Sequence, residues 1–449
     1  VIGEVGLMNI FPINTPSLGD TSYIVSHEGS GIVVDPQRDL GRFIDELDQA
    51  KVSVTHVLDT HVHNDYLSGA PSLARLLSAD LVMPAASRVG FAFLPAFHQE
   101  EIAAGPFTIR PLHTPGHTPE HTSYLMLVGD DPVAVFSGGS LLVGSAGRTD
   151  LLGYELAHSL ALLQYGSLRR LASLPGTVAL CPTHGAGSFC TSSVAGATTS
   201  SIESELRTNP QLRYADAERF AAGQLAGLLP FPTYYRHMAG LNLEGPEQWK
   251  ASPPVEISPD RIGEPGHAVV DGRSRYAFAA GHIPGALGIE LGNSFASWVG
   301  WLVPFGTPVA LVLDPGQDET MAATELARVG YQVKGVLWGV EAWEVSGGRL
   351  HRHRTATVAE LAGSIDDINL VDVRDPGEWA ISHVRGSAHH YVPDLMDTIA
   401  EVDEPWLICG GGFRSNMAAS LLCRRGIESV VVTSGGVPEL LTMRPDLRE

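Results

Sequence analysis

The sequence predicts a chain of mixed α/β class, a larger N-terminal region followed by two smaller α/β domains, and three observations predict it. Short β-branched runs alternate with helical patterns and polar turns up to about residue 250. Several of those runs end in histidines or acids, where open α/β and αββα folds place their chemistry. Beyond residue 260 a motif-bearing stretch occurs twice. At 449 residues the chain is also too long for one ordinary core, which favours about two to four domains.

In the first region VSVTHVLDT (52–60) reads as a buried strand running into the loop THVHNDY (60–66), and PSLARLLSA (71–79) carries apolar residues at helical spacing. FTIRPLHT (107–114), SYLMLV (123–128) and PVAVFSGG (132–139) read as strands, and Leu151 to Leu174 as an amphipathic helix. TVALCPTHG (177–185) is a further strand ending in a histidine loop. From Gly227 to Asp260 the chain is rich in Pro, Gly and aromatics, and PEQWKASPPVEISPD (246–260) reads as a linker; Tyr234, Tyr235 and Arg236 alternatively line a pocket.

Twenty-nine basic against fifty acidic residues give a formal net charge of -21, which excludes nucleic acid and anionic membrane as natural partners and favours a small-molecule substrate. No apolar run approaches the roughly 20 residues of a membrane helix. The chain starts at Val1 without a signal-peptide pattern, and its four cysteines, Cys181, Cys190, Cys409 and Cys423, are too few for a disulfide scaffold. A cytoplasmic setting is the expectation, and a homodimer is the default assembly.

The repeat aligns VVDGRSRYAFAAGHIPGA (269–286) with LVDVRDPGEWAISHVRGS (370–387), pairing Asp271 with Asp372, Arg273 with Arg374, His282 with His383 and Gly285 with Gly386. The Asp and Arg residues read as structural ion pairs. In the second copy the strand PWLIC (405–409) runs into CGGGFRSNMAASLLCRRG, where Cys409 to Arg414 form a tight loop and a helical pattern starts from about Ser415. Gly410, Gly411 and Gly412 let the backbone turn N–H groups inward as an anion nest, flanked by Phe413 and Ser415, a setting that stabilises a thiolate or persulfide on Cys409. Arg414 adds a charge or braces the loop. The first copy reads DPGQDET instead, with Asp314 in the place of the cysteine and Asp318 and Glu319 after it, a field that repels an anion.

Together, the DVR loop, the HVRG turn, the C-x-x-G-x-R-S loop and the late pair Gly435 and Gly436 resemble the rhodanese family of sulfurtransferases over residues 262–449. The resemblance implies that Cys409 takes a sulfane sulfur and passes it to a thiol or cyanide, and that the first copy is inactive. Upstream, H-x-H-x-D (His61, His63, Asp65), then GH (His117), then a terminal histidine (His184) resemble the metallo-β-lactamase fold over residues 1 to about 245. That implies two packed sheets between helices, an αββα sandwich with a metal at one edge. The order of the two parts looks like that of the fused persulfide dioxygenase–sulfurtransferases. The resulting division is 1–245, a linker 246–260, an inactive rhodanese-like domain 261–350 and a cysteine-bearing one 351–449.

Two positions depart from the family pattern. Tyr66 stands where a histidine ligand of a second metal is usual, and Gly139 where a carboxylate is usual. The remaining His61, His63 and His117, with Asp65 and His184 nearby, are expected to hold one metal ion, Fe(II) in the leading reading and zinc in the alternative. Cys181 and Cys190 read as packing residues rather than ligands. Three readings of this region stand side by side: oxidation of glutathione or coenzyme A persulfide to sulfite, with Cys409 exchanging sulfur with thiosulfate, sulfite or the thiol; a zinc thioester hydrolase with Asp65 on the attacking water; and a non-catalytic scaffold.

Overall fold

The computed structural model describes residues 4–5, 8–191, 197–399 and 403–449. The chain divides into two compact units, Val1–Ala251 with Ala327–Gly330, and Ser252–Leu326 with Tyr331–Glu449. Among the described residues no helix is long and apolar enough to cross a membrane.

In the first unit the strands Glu4–Val5, Met8–Thr15, Asp20–His27, Ser30–Val34, Ser53–Leu58, Asp80–Pro84 and Leu94–Ala96 form one sheet in chain order. A second sheet runs Ser200–Ser201, Ala179–Pro182, Asp131–Gly138, Thr122–Val128, Phe107–His113, Ile102–Ala104. Side chains alternate strictly between faces, as the period of a strand demands. Tyr23, Val25, Leu58, Tyr124, Met126 and Phe136 meet in a core shared by the two sheets. Their neighbours turn outward: Ile24, Val33 and Val57 pack with Phe43, Leu47 and Leu73 of the helices Gly41–Ala50 and Ala70–Leu77. On the other side Leu125, Leu127 and Val135 pack with Leu168, Leu171 and Phe220, from the helices Tyr154–Ala172 and Ala217–Ala226. Three stacked apolar layers make the αββα sandwich that the family resemblance implied.

The second unit holds two parallel sheets with a common order. The first runs Leu287–Gly288, Ala268–Asp271, Val309–Leu313, Val333–Trp338. The second runs Ala388–His389, Leu370–Asp372, Trp406–Ile408, Val430–Ser434, with Arg354–Thr357 added at the edge. The expected ion pairs form twice: Arg273 clasps Asp271 (2.7 Å) and the Gly281 carbonyl (2.7 Å), and Arg374 clasps Asp372 (2.7 Å) and the Ser382 carbonyl (2.8 Å). His282 stacks on Phe278 and His383 on Trp379, both at 3.8 Å between ring centroids.

Three local expectations are corrected. The stretch 246–260 is not linker throughout: Ile257 is buried and its N–H donates to the Val336 carbonyl (2.9 Å), so the segment extends the first parallel sheet. The Pro- and Gly-rich stretch before it contains the helix Tyr235–Glu244. The helix after Cys409 begins at Phe413, so Phe413 and Arg414 lie on its first turn rather than in the loop.

Candidate metal centre and cysteine loop

All the histidine motifs of the first unit leave from strand ends. The loop 59–66 follows Ser53–Leu58, the loop 114–121 follows Phe107–His113, Gly139 follows Asp131–Gly138 and His184 follows Ala179–Pro182. Buried hydroxyls and one carboxylate fix these turns. Asp35 accepts from the Thr60 N–H (2.7 Å), the Thr60 hydroxyl (2.8 Å) and the Thr183 hydroxyl, joining two of them. Tyr124 donates to the Asp59 carbonyl (2.9 Å) and Tyr23 to the Pro182 carbonyl (2.7 Å).

His61, His117 and His184 converge, their ligand nitrogens within 4.8 Å of one another, and all are fully buried. Partners on the far side of each ring decide which nitrogen is presented. The Nδ1–H of His117 donates to the Arg148 carbonyl (2.8 Å), leaving a lone pair on Nε2, which has no partner. Thr60, whose proton goes to Asp35, accepts from Nδ1 of His61 (2.9 Å). His184 directs Nδ1 to Asp20 (2.9 Å), and its Nε2 lies 3.4 Å from that of His61. Three Nε2 atoms thus face a common point, so the donor set fits one metal ion of the kind that accepts imidazole.

The sequence brought His61, His63, His117 and His184 to the site, with Asp65; of these His61, His117 and His184 form one group and His63 lies in an overlapping one. Nε2 of His63 is turned toward Asp35 (3.3 Å) and the Tyr66 hydroxyl (3.0 Å), with the Tyr66 ring stacked on it at 4.3 Å. Nδ1 of His63 is buried without a hydrogen-bond partner, and the buried Asp65 carboxylate faces Nδ1 of His184 (3.3 Å). His63, Asp65 and His184 accordingly form a second, overlapping group with ligand atoms within 4.8 Å.

Electrostatics divide the site into a neutral and a charged half. Burial, reinforced by the neighbouring imidazoles, holds His61 and His121 well below the usual histidine range and His117 at about 3. Burial also opposes charge on His184, but Asp65 and Asp20 outweigh it and raise that ring to about 10, so an ion at its Nε2 would take the place of a proton there. At Asp65 the His184 imidazolium overcomes burial and keeps the carboxyl ionised, whereas burial and the Asp65 charge push Asp20 up to about 8.

Gly139 lacks more than a carboxylate. A Cβ there would lie 2.2 Å from Cδ2 of His117, so the ring occupies the space that a side chain would need. Its N–H donates to Nε2 of His121 (2.9 Å), while Nδ1 of His121 bonds the Thr114 hydroxyl (2.9 Å), which leaves His121 a brace rather than a ligand. Sequence reasoning passed over His121, Asp20, Asp35 and Asp59; the TPEH turn and the acids at strand ends were the available signals. It also passed over Asn242, whose amide donates to the carbonyls of His63 and Tyr66 (2.8 Å each) and accepts from the Ser68 N–H (2.9 Å). Tyr234 donates to the Asp65 carbonyl (2.9 Å). Cys181 packs in the shared core and Cys190 is buried, its thiol pushed up by burial and by Asp65.

In the second unit Cys409 is 1% exposed and its Sγ accepts from the Gly412 N–H (3.1 Å) at the start of the helix Phe413–Arg424. Gly412 holds φ +88°, and a Cβ on it would meet the Thr433 carbonyl oxygen at 2.4 Å. Gly436 passes equally close, its Cβ position 2.2 Å from the Cys409 carbonyl oxygen, which accepts from the Val437 N–H (2.9 Å). Arg414 braces rather than reaches inward: it pairs with Glu378 (2.9 Å) and Asp375 (3.5 Å). Burial favours the neutral Glu378, but the guanidinium wins and holds the carboxyl at about 2. Ser415 is buried with its hydroxyl unpartnered. In the first copy the chain at Asp314 closes on itself, the Asp314 N–H donating to the Gln317 side chain (2.7 Å).

Comparison with known proteins agrees with this division. Residues 17–184 match the metallo-beta-lactamase superfamily, and 258–346 and 357–442 each match the rhodanese-like domain. A hydroxyacylglutathione hydrolase-like protein of Homo sapiens is 37% identical over 136 residues, 30% of this chain and 44% of that protein. With the Bos taurus protein of the same name, 51% covered, the chain spans about half the length of these relatives. The hydroxyacylglutathione hydrolase of Acidiphilium cryptum is 30% identical over 236 residues, 46% of this chain and 91% of that protein. A crystal structure of a metallo-beta-lactamase from Staphylococcus aureus subsp. aureus COL superposes with a TM-score of 0.68 at 25% identity, covering 74% of this chain and all of that one. Through its N-terminal unit the chain belongs to the metallo-beta-lactamase superfamily, and it carries two rhodanese-like domains after it, the first without a cysteine in its loop.

Proposed function

We propose that the protein is an enzyme of sulfane-sulfur metabolism in which Cys409 carries sulfur and the N-terminal metal centre oxidises a low-molecular-weight persulfide such as that of glutathione or coenzyme A. The observation that carries the reading is Cys409 itself, its sulfur held by the Gly412 N–H at a helix N-terminus, where an anion is stabilised. The Cys409 thiolate attacks the sulfane sulfur of thiosulfate, the S–S bond of thiosulfate breaks, and sulfite leaves with the electron pair, giving Cys–S–S⁻. A thiolate then attacks the outer sulfur, the enzyme S–S bond breaks, and a small persulfide departs from the restored Cys409 thiolate. Arg414, tied to Glu378, is a positioning residue that holds the first helical turn in place.

At the metal centre His61, His117 and His184 would hold the ion, with Asp65 and His63 at the overlapping position. Iron bound there would supply the redox chemistry with dioxygen for the conversion RSSH + O₂ + H₂O → RSH + SO₃²⁻ + 2H⁺. The chain's own contribution is to exclude water by burial and to fix each imidazole through Asp20, Thr60 and the Arg148 carbonyl. Protein loaded with Fe(II) is expected to consume oxygen and release sulfite when given glutathione persulfide; absence of both removes the oxidative half and leaves the sulfurtransferase. The all-imidazole triad, together with the similarity to hydroxyacylglutathione hydrolases, favours as second reading a zinc thioester hydrolase. Zinc at full occupancy with thioester turnover decides for it.

A further inference from the structure

Far from the metal centre in sequence, three more imidazoles meet where the chain leaves the first rhodanese-like copy. A reciprocal pair of backbone hydrogen bonds ties His282 to His351, each N–H donating to the other's carbonyl (3.0 and 2.9 Å), and the His353 N–H donates to the Ala279 carbonyl (3.0 Å). The tie sets the ring centroids of His282 and His353 4.7 Å apart, those of His282 and His351 5.4 Å and those of His351 and His353 5.6 Å. The second copy makes the same tie between His383 and Glu449 (3.0 Å each way), so the backbone device belongs to the repeat and the added histidines to the first copy alone.

Two of the three rings carry buried nitrogens without hydrogen-bond partners. The Nδ1–H of His282 donates to the Phe278 carbonyl (2.9 Å) with the ring stacked on Phe278, which places its lone pair on Nε2. That Nε2 and both nitrogens of His353 are buried with no partner, on side chains 1% and 8% exposed. Buried polar atoms left unpaired are uncommon, and three in one cluster point to a missing partner.

We propose that His282, His351 and His353 bind a divalent transition-metal cation of the zinc class, with the Glu428 carboxylate on the solvent side. The donor types, three imidazoles and a carboxylate, suit a closed four-coordinate structural site rather than a catalytic one. Unlike those of His61, His117 and His184, these nitrogens do not all lie within 4.8 Å of one another. His351 presently faces Glu428 (3.7 Å) and is 31% exposed, so it is the ring that swings inward to close the set. The cation would pin the helix-to-strand segment at His282 to the chain leaving the first copy, supplying a fixed point in a domain without a working loop.

The test is metal counting on the full chain, stripped with chelator, equilibrated with Zn²⁺ and analysed by elemental mass spectrometry. Wild type is expected to hold about one equivalent more than His353→Gln, and His61→Gln is expected to keep that equivalent, which separates this site from the N-terminal one. Equal zinc in wild type and His353→Gln overturns the proposal. Should His353→Gln fail to fold, wild-type protein alone decides: Zn²⁺ is expected to protect His351 severalfold from acylation by diethyl pyrocarbonate, read on the peptide, and unchanged labelling overturns it.

Discussion

Gly139 and Tyr66 each shape the candidate metal centre through a histidine beside it. The His117 ring fills the space at Gly139, so Gly139→Asp is expected to displace the ring rather than restore a ligand. Overpacking of that kind costs about 1–3 kcal/mol, and the expected outcome is a lower Tm with weaker, not stronger, metal binding. Tyr66 holds His63 toward Asp35, which sets its Nε2 away from the group formed by His61, His117 and His184. Spacing told which residues reach the site; it was silent on which nitrogen faces it, because the far-side partners Asp20, Asp35 and the Arg148 carbonyl come from distant segments. A pH prediction belongs to Glu378. Its carboxyl sits at about 2 in the folded chain against 4.5 ordinarily, a depressed value, so its pairing with Arg414 stabilises the fold above about 4.5 and is lost as pH falls toward 2. The stability gap between wild type and Glu378→Gln, read by denaturant melts, is expected to shrink across that window; a constant gap contradicts it.

Elements decide how these residues are held. The helix Tyr235–Glu244 was obscured in the sequence by surrounding Pro, Gly and aromatic residues, yet its Asn242 makes three hydrogen bonds to the backbone of residues 63–68. Asn242→Ala leaves those buried groups unpaired, at about 1–3 kcal/mol for each. Metal affinity by calorimetry is expected to fall roughly 10- to 100-fold, as for loss of other groups that orient ligands. Unchanged affinity would show that the helix does not support the loop. The strands and helices themselves were legible, because alternating apolar runs such as SYLMLV and helical spacing such as PSLARLL encode which face is buried. Helix starts were less so: glycines and Phe413 alone could not show that the helix begins four residues after Cys409.

Across the molecule, the internal repeat was the most legible feature, since the Asp-x-Arg clasp and the stacked histidine recur at equivalent positions in both copies. Their divergence was equally plain, Cys409 against Asp314. Asp314→Ala is therefore expected to leave sulfur transfer within about twofold of wild type, a change under about 0.5 kcal/mol, whereas Cys409→Ala abolishes it. The most direct test of the account is mass spectrometry of the protein after brief exposure to thiosulfate. One added sulfur atom on the peptide containing Cys409, removed by a thiol acceptor and absent from Cys409→Ser, is the expected result. Sulfur transfer that survives in Cys409→Ser, or an adduct on another cysteine with Cys409 unmodified, would contradict it.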